Sequence, residues 1–329
     1  MLNLILTGQL SPFTLLVWGV ALFLFFLPTV LAFQKGHRRF WVILALNLVI
    51  APLQQVILVK LFPAFFAIAG ATPAELVWKG LIANLGLGWL ALLAWSLAPV
   101  ASPDPRLLAV RNTKLYDLAA GLPLALWFAY SVVRLRPSIA ADIEIIASGG
   151  GTLFVWAQLF SLAGSALFNL LLVWLLLVRD KPVLKSRGAI PRIAAFAGTF
   201  LGVGIIQLPV APLSLPLQVT AALLVGTGSV LAAIVLSRLG KSFSIMPEAR
   251  RLVTDGPYAL VRHPLYAVEL LIIAGTALQF AQPLAGILGV TVLLLLVIRT
   301  VFEERVLAEA HPEYEAYRAK TARFIPGVI

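Results

Sequence analysis

The sequence predicts an all-α, polytopic integral membrane protein of about nine transmembrane helices, closing in a helical hairpin and an amphipathic tail. Three observations carry this. Hydrophobic residues make up 61% of the 329 and charged residues 12%, with a mean hydropathy of +0.99, whereas a soluble domain is roughly 45–50% apolar. Apolar runs of the roughly 20 residues needed to cross a bilayer recur along the whole chain. Lys and Arg collect in alternate loops, 21 of 25 on one side, as they do in cytoplasmic loops.

Taken in order, the runs lie near 12–33, 40–59, 76–98, 117–134, 152–178, 191–210 and 215–237. Two more, 265–281 and 284–302, form a hairpin broken at Gln282-Pro283, where proline cannot continue a helix. An external N-terminus puts the loops 34–39, 99–116, 179–192 and 238–264, and the tail from 299, in the cytoplasm. Only Lys60, Lys79, Arg134 and Arg136 fall elsewhere. The cluster Arg179, Lys181, Lys185, Arg187 reads as the same topological signal, with an anionic-lipid site as the alternative. Between the fourth and fifth runs, Ser138–Ala147 and Gly149-Gly150-Gly151 read as a solvated outer connector carrying Asp142 and Glu144. The N-terminus lacks a basic n-region and is expected to stay in the mature protein. Compact loops and the lack of targeting features fit a prokaryotic inner membrane.

Two modules are expected: residues 1–188, a multi-span extension with few internal ionisable groups, and residues 189–329, which hold most of the candidate chemistry. The loop 179–192 is the seam between them.

Several functions are excluded or weakened by residue counts. No cysteine is present, so disulfides, thiolate metal sites and a cysteine nucleophile are ruled out. Only three histidines, His37, His263 and His311, are present, which argues against a zinc site. The net charge of +11 is accounted for by topology, so no nucleic-acid partner is expected. Gly86-Leu87-Gly88 and Gly202-Val203-Gly204 sit in apolar helices, without the strand and third glycine of a dinucleotide loop. Gly198 and Gly202 read instead as a small-residue packing face. A transporter needs polar groups along a midplane path, and the ionisable groups of the first seven runs, Lys79 with Glu75 just before it, Asp117, Arg134 and Arg192, all stand near run ends.

The chemistry concentrates in a polar island at 250–266 and in Arg299 with Glu303 and Glu304. Arg299 and Glu303, four residues apart, share a helix face and can pair. Arg262, His263, Tyr258 and Tyr266 begin the partner helix, so a short antiparallel hairpin brings both clusters to one membrane face. Pro247, Gly256, Pro257 and Pro264 fix the turns of the intervening loop, with Pro264 at the first helical position. His263 reads either as a cap or as a holder of a ligand carboxylate.

The order and spacing of Leu239-Gly240-Lys241-Ser242-Phe243-Ser244, Leu252-Val253-Thr254-Asp255-Gly256-Pro257-Tyr258, Arg262-His263-Pro264-Leu265-Tyr266, Arg299-x-x-x-Glu303-Glu304, Tyr314-x-x-Tyr317 and Arg323-x-x-Pro326 resemble the isoprenylcysteine carboxyl methyltransferase and phospholipid methyltransferase superfamily. The resemblance covers roughly the last 90 residues, extending to the helices from 190, and nothing in 1–188. It implies an S-adenosylmethionine-dependent methyltransferase. Arg251, Leu252 and Val253 would line the adenosine side, Tyr258 would contact the cofactor, and His263, Pro264, Leu265 and Tyr266 would hold its amino-acid end. Glu303 would face the cofactor, Glu304 would belong to its binding region, and Arg299 would orient the acceptor. The chain departs from the family pattern at Val268, where a glycine is common, at the added Glu269, and at His311-Pro312, which replaces a Phe-Gly step.

The expected acceptor is a lipophilic or lipid molecule reaching the site from the bilayer. A carboxylate acceptor, already ionised and held by Arg299, is preferred. An amine or thiol would instead need Glu303, Glu304 or Glu269 as a base. A nicotinamide-dependent reductase related to sterol reductases, and a transporter, are the competing classes.

Overall fold

The computed structural model describes residues 12–61, 87–111, 113–186 and 190–326. The readings placed on residues 1–10, on Glu75, Lys79, Gly86 and on Arg187 lie outside these. The described chain is mostly helical and forms two compact units, residues 10–117 and a second running from Leu118.

The first unit holds α1 (Pro12–Gln34), α2 (Phe40–Leu61), α3 (Leu87–Leu97) and α4 (Pro105–Arg111). Pro28 inside α1 has no N–H for the carbonyl of Leu24, one turn back. Trp89 Nε1 on α3 donates to that carbonyl at 2.9 Å, and Asn47 Nδ2 on α2 donates to Phe25 O at 3.0 Å. Backbone acceptors freed in an apolar setting are commonly re-satisfied in this way by neighbouring helices. Lys35 Nζ reaches Leu97 O at 2.5 Å and Arg111 Nη1 reaches Gln34 O at 2.6 Å. These basic loop residues therefore also cap the negative C-terminal ends of helices.

Next in the chain are α5 (Lys114–Ala147), whose residues from Leu118 belong to the second unit, α6 (Leu153–Val178), β1 (Leu184–Lys185), α7 (Ile190–Phe200), α8 (Gly202–Ile205) and α9 (Leu215–Leu239). Then come a 3-10 turn (Gly240–Ser242), β2 (Glu248–Ala249), α10 (Pro257–Leu260), α11 (Pro264–Leu278), α12 (Leu284–Ala310) and α13 (Tyr314–Lys320).

Within the second unit α9 is the central helix, packed on α6 on one side and α11 on the other. Glycine permits both approaches. A Cβ on Gly226 would lie 2.5 Å from Phe160 Cδ1 of α6, and one on Gly275 of α11 would lie 2.7 Å from the Ala221 carbonyl of α9. Close helix packing, which Val268 at the family's glycine position would oppose, is thus supplied by Gly228 and Gly275 instead. β1 and β2 pair antiparallel, Leu184 with Ala249 and Lys185 with Glu248, tying the loop after α6 to the loop before the hairpin.

Among the described residues four helices are long and apolar enough to cross a membrane: Lys114–Ala147, Leu153–Val178, Leu215–Ser242 and Leu284–Ala310. Nine crossings are not what the described residues display. The run 191–210 is split into α7 and α8 at Leu201, where Gly202 and Gly204 weaken the helix and Pro209 ends it. α11 has 15 residues, about 22 Å at 1.5 Å per residue, against a hydrocarbon core of about 30 Å. The expected outer connector 138–147 is helical, the last turns of α5, and Asp142 is buried rather than solvated. Gly202 is not a packing contact either, since a Cβ there would meet nothing within 4 Å.

Candidate active site

Glycine and proline shape the loop into α11. Gly256 takes a positive φ of 59°, allowing the Asp255-Gly256-Pro257 turn, and Pro264 opens α11. His263 precedes it at the N-cap position, yet makes no capping hydrogen bond. It is buried, and its Nε2 lies 3.0 Å from Glu304 Oε1.

Glu304 is a hub. Its Oε1 accepts from Arg262 Nε at 3.0 Å and Arg323 Nε at 3.0 Å, and its Oε2 accepts from Arg323 Nη2 at 2.7 Å. The tail runs beside the loop as a parallel bridge between Val261 and Ala322. Arg262 N donates to Ala322 O at 2.8 Å, His263 N donates to Arg323 O at 3.0 Å, and Arg262 Nη1 reaches Thr321 O. One carboxylate on α12 therefore gathers three basic groups from two chain segments and clamps the tail to the start of α11.

One residue earlier, Glu303 faces the other way. Its Oε1 accepts from Arg299 Nε at 2.8 Å, as the spacing predicts, and from Tyr266 Oη at 2.7 Å. Arg299 also donates to the Ser244 carbonyl at 3.1 Å, and its guanidinium sits 5.2 Å over the Tyr266 ring. Tyr266 in turn stacks on His263, ring centres 5.6 Å apart and planes 12° from parallel.

These groups wall a cavity against the loop 239–253 and α13. Of the residues predicted from sequence, Arg251, Leu252, Val253 and Tyr258 line it on the loop side. His263, Leu265, Tyr266, Arg299 and Glu303 line it from the hairpin. Pro264 and Glu304 are not in its wall; the first starts the helix and the second holds the frame behind. Sequence reasoning had no role for Ser242, Phe243 or Met246, which also face the cavity. Ser242 and Tyr314 stand in motifs that carry the family resemblance, the signal through which they could have been found. Both hydroxyls are buried and have no hydrogen-bond partner among the described residues.

Burial, followed by the nearby Glu303 charge, pushes the Tyr258 phenol above its ordinary range, and burial pushes Tyr317 up to about 12. Both stay protonated at neutral pH, and Tyr317 Oη donates to the Tyr258 carbonyl at 2.6 Å. In β2, Glu248 Oε2 accepts from Arg250 Nη2 at 2.9 Å and from Ser244 Oγ at 3.1 Å, while His311 Nε2 donates to the Arg250 carbonyl at 2.7 Å. The His311-Pro312 departure from the family pattern thus gains a contact to the loop.

Residues 217–313 match the phospholipid methyltransferase family. The matched segment contains α11 and α12 and every group in the Arg299–Glu303–Tyr266 cluster. Only Tyr314 and Tyr317 of the cavity wall fall just past it. A stretch of 78 residues is 44% identical to the cobalt-zinc-cadmium resistance protein CzcN of Cupriavidus metallidurans, covering 23% of this chain and 35% of that protein. Another of 82 residues is 37% identical to the nickel-cobalt-cadmium resistance protein NccN of Alcaligenes xylosoxydans xylosoxydans, covering 24% of this chain and 38% of that protein. The chain thus spans little more than a third of the length of these relatives. Metal resistance is what those two proteins are named for. Two of the four long apolar helices, Leu215–Ser242 and Leu284–Ala310, lie almost wholly within the matched residues.

Proposed function

We propose that the protein transfers a methyl group from S-adenosylmethionine to a lipophilic acceptor at the cytoplasmic face of a prokaryotic inner membrane. The observation that carries this reading is the cavity between loop 239–253, the hairpin and the tail, where two buried hydroxyls lack partners among the described residues. The cofactor fits the residues present. Leu252, Val253 and Tyr258 offer apolar and aromatic surface to a nucleobase, and Ser242 and Tyr314 offer hydrogen bonds to ribose or amino-acid atoms. When bound, S-adenosylmethionine supplies an electrophilic methyl on a sulfonium.

The chain's own contribution is alignment and removal of water. Tyr266, Arg299 and Glu303 brace one another at the end of the cavity nearest the apolar part of the hairpin, where cofactor and acceptor would meet. Sequence alone favours a carboxylate acceptor held by Arg299. With that guanidinium already engaged by Glu303 and the Ser244 carbonyl, the geometry supports the alternative of an acceptor that brings its own proton.

Calorimetry with S-adenosylhomocysteine on protein purified in detergent tests the reading. Wild type is expected to bind, and His263→Ala to bind much more weakly, because it loses both cavity wall and the Glu304 contact. A folded wild type that does not bind overturns the reading.

A further inference from the structure

Glu269 is absent from the motifs that carry the family resemblance and from the cavity wall. It lies six residues into α11 from His263, about 9 Å along the axis. Its facing can be read from its neighbours. A Cβ on Gly289 of α12 would meet both Ile273 and Ala277 of α11 at 3.4 Å, and Tyr266 of α11 bonds to Glu303 of α12 at 2.7 Å. Positions 266, 273 and 277 therefore point at α12. Position 269, three after 266 and four before 273, lies on the same stripe. In the antiparallel register set by Tyr266 with Glu303 and Ile273 with Gly289, it comes opposite the turn holding Leu296 and Arg299. The opposite stripe, with Ile272 and Gly275, belongs to α9.

Among the described residues Glu269 makes no hydrogen bond or ion pair, although it is within electrostatic reach of Arg299 and Glu303. Arg299 spends its Nε on Glu303 and its Nη2 on Ser244 O. The cluster thus holds two carboxylates against one guanidinium in an apolar helix pair. A carboxylate at such a depth is costly without a partner and marks a functional position.

We infer that Glu269 is the specificity-determining carboxylate of the acceptor site, pairing with the ammonium group of a lipophilic amine and taking a proton from its nitrogen. This rests on the methyltransferase reading. The transfer balances: the ammonium nitrogen gives one proton to a Glu269 oxygen, leaving a neutral amine with a free lone pair and a neutral carboxyl. The position suits this role, lying one turn further than Tyr266 into the apolar part of the hairpin, on the far side of the Arg299–Glu303–Tyr266 cluster from the loop.

The test compares binding of dodecylamine and dodecanoate to full-length wild type, Glu269→Gln, Glu269→Ala and Glu269→Asp in nanodiscs, beside binding of S-adenosylhomocysteine and S-adenosylmethionine. Wild type should prefer the amine by about tenfold, the scale of one charge-assisted contact. The Gln and Ala variants should lose the preference and Asp should keep most of it, with S-adenosylhomocysteine binding unchanged in all. Equal binding of the two amphiphiles by wild type, or an amine preference that survives in a folded Gln or Ala variant, overturns the assignment. So does a selective loss of S-adenosylmethionine over S-adenosylhomocysteine, which would place the carboxylate against the sulfonium instead. Failure of wild type to bind S-adenosylhomocysteine at all would fault the methyltransferase reading and not Glu269.

Discussion

Tyr314 places a hydroxyl in a cavity wall where nothing among the described residues receives it, so its removal separates two effects. Tyr314→Phe should leave the melting temperature of the ligand-free protein unchanged or slightly raised, since an unsatisfied buried group is lost. The same change should weaken S-adenosylhomocysteine by several-fold in calorimetry. A variant that melts lower without any change in affinity would show the hydroxyl to be structural. Glu304 is the contrasting case, because three basic groups depend on it. Glu304→Ala leaves them uncompensated and should destabilise the protein by about 3–5 kcal/mol, with limited proteolysis cutting first in the tail beyond Lys320. The sequence showed the Arg299–Glu303 pair, since four-residue spacing on a helix is local. It did not show the Glu304 hub, whose partners lie 42, 41 and 19 residues away.

Helix packing around α9 depends on where glycine stands, and sequence alone misread which glycines matter. Gly198 and Gly202 carry the expected small-residue spacing, yet only the former faces α12, at ordinary contact distance. Gly226, Gly228 and Gly275 carry the tight contacts, which no spacing rule singled out. Gly275→Ala should therefore cost about 1–3 kcal/mol through overpacking against Ala221 and Leu224, read as a drop in thermal stability, while Gly202→Ala should be neutral or mildly stabilising. The hairpin break at Gln282-Pro283 and the start of α11 at Pro264 were legible because proline punctuates helices strongly. The split of the 191–210 run was not, because hydropathy sums apolar content and is blind to a helix that stops and restarts.

Across the whole molecule, composition alone was enough for the class, an apolar helical protein with basic loops. It was not enough for the number of crossings, since an apolar run measures length in residues while a crossing needs continuous helix. Topology can be tested directly because the chain has no cysteine. Single cysteines at Lys181 and at Ser148, probed with a membrane-impermeant maleimide on inverted and right-side-out vesicles, should react from opposite sides, Lys181 from the cytoplasmic one. Labelling of both from one side would overturn the proposed orientation, and with it the access of a cytosolic cofactor to the cavity.

The strap formed by Thr321, Ala322 and Arg323 along Val261, Arg262 and His263 also bears on biosynthesis. Arg262 and His263 leave the ribosome well before Arg323, and the hairpin between them can enter the bilayer while its carboxylate hub still lacks one of its cationic partners. The cavity is therefore completed only when the tail folds back, after both hairpin helices have been inserted. A nascent chain stalled before residue 321 would be membrane-embedded but without a finished pocket, so competence to bind a ligand should appear as a late step of synthesis, distinct in time from insertion.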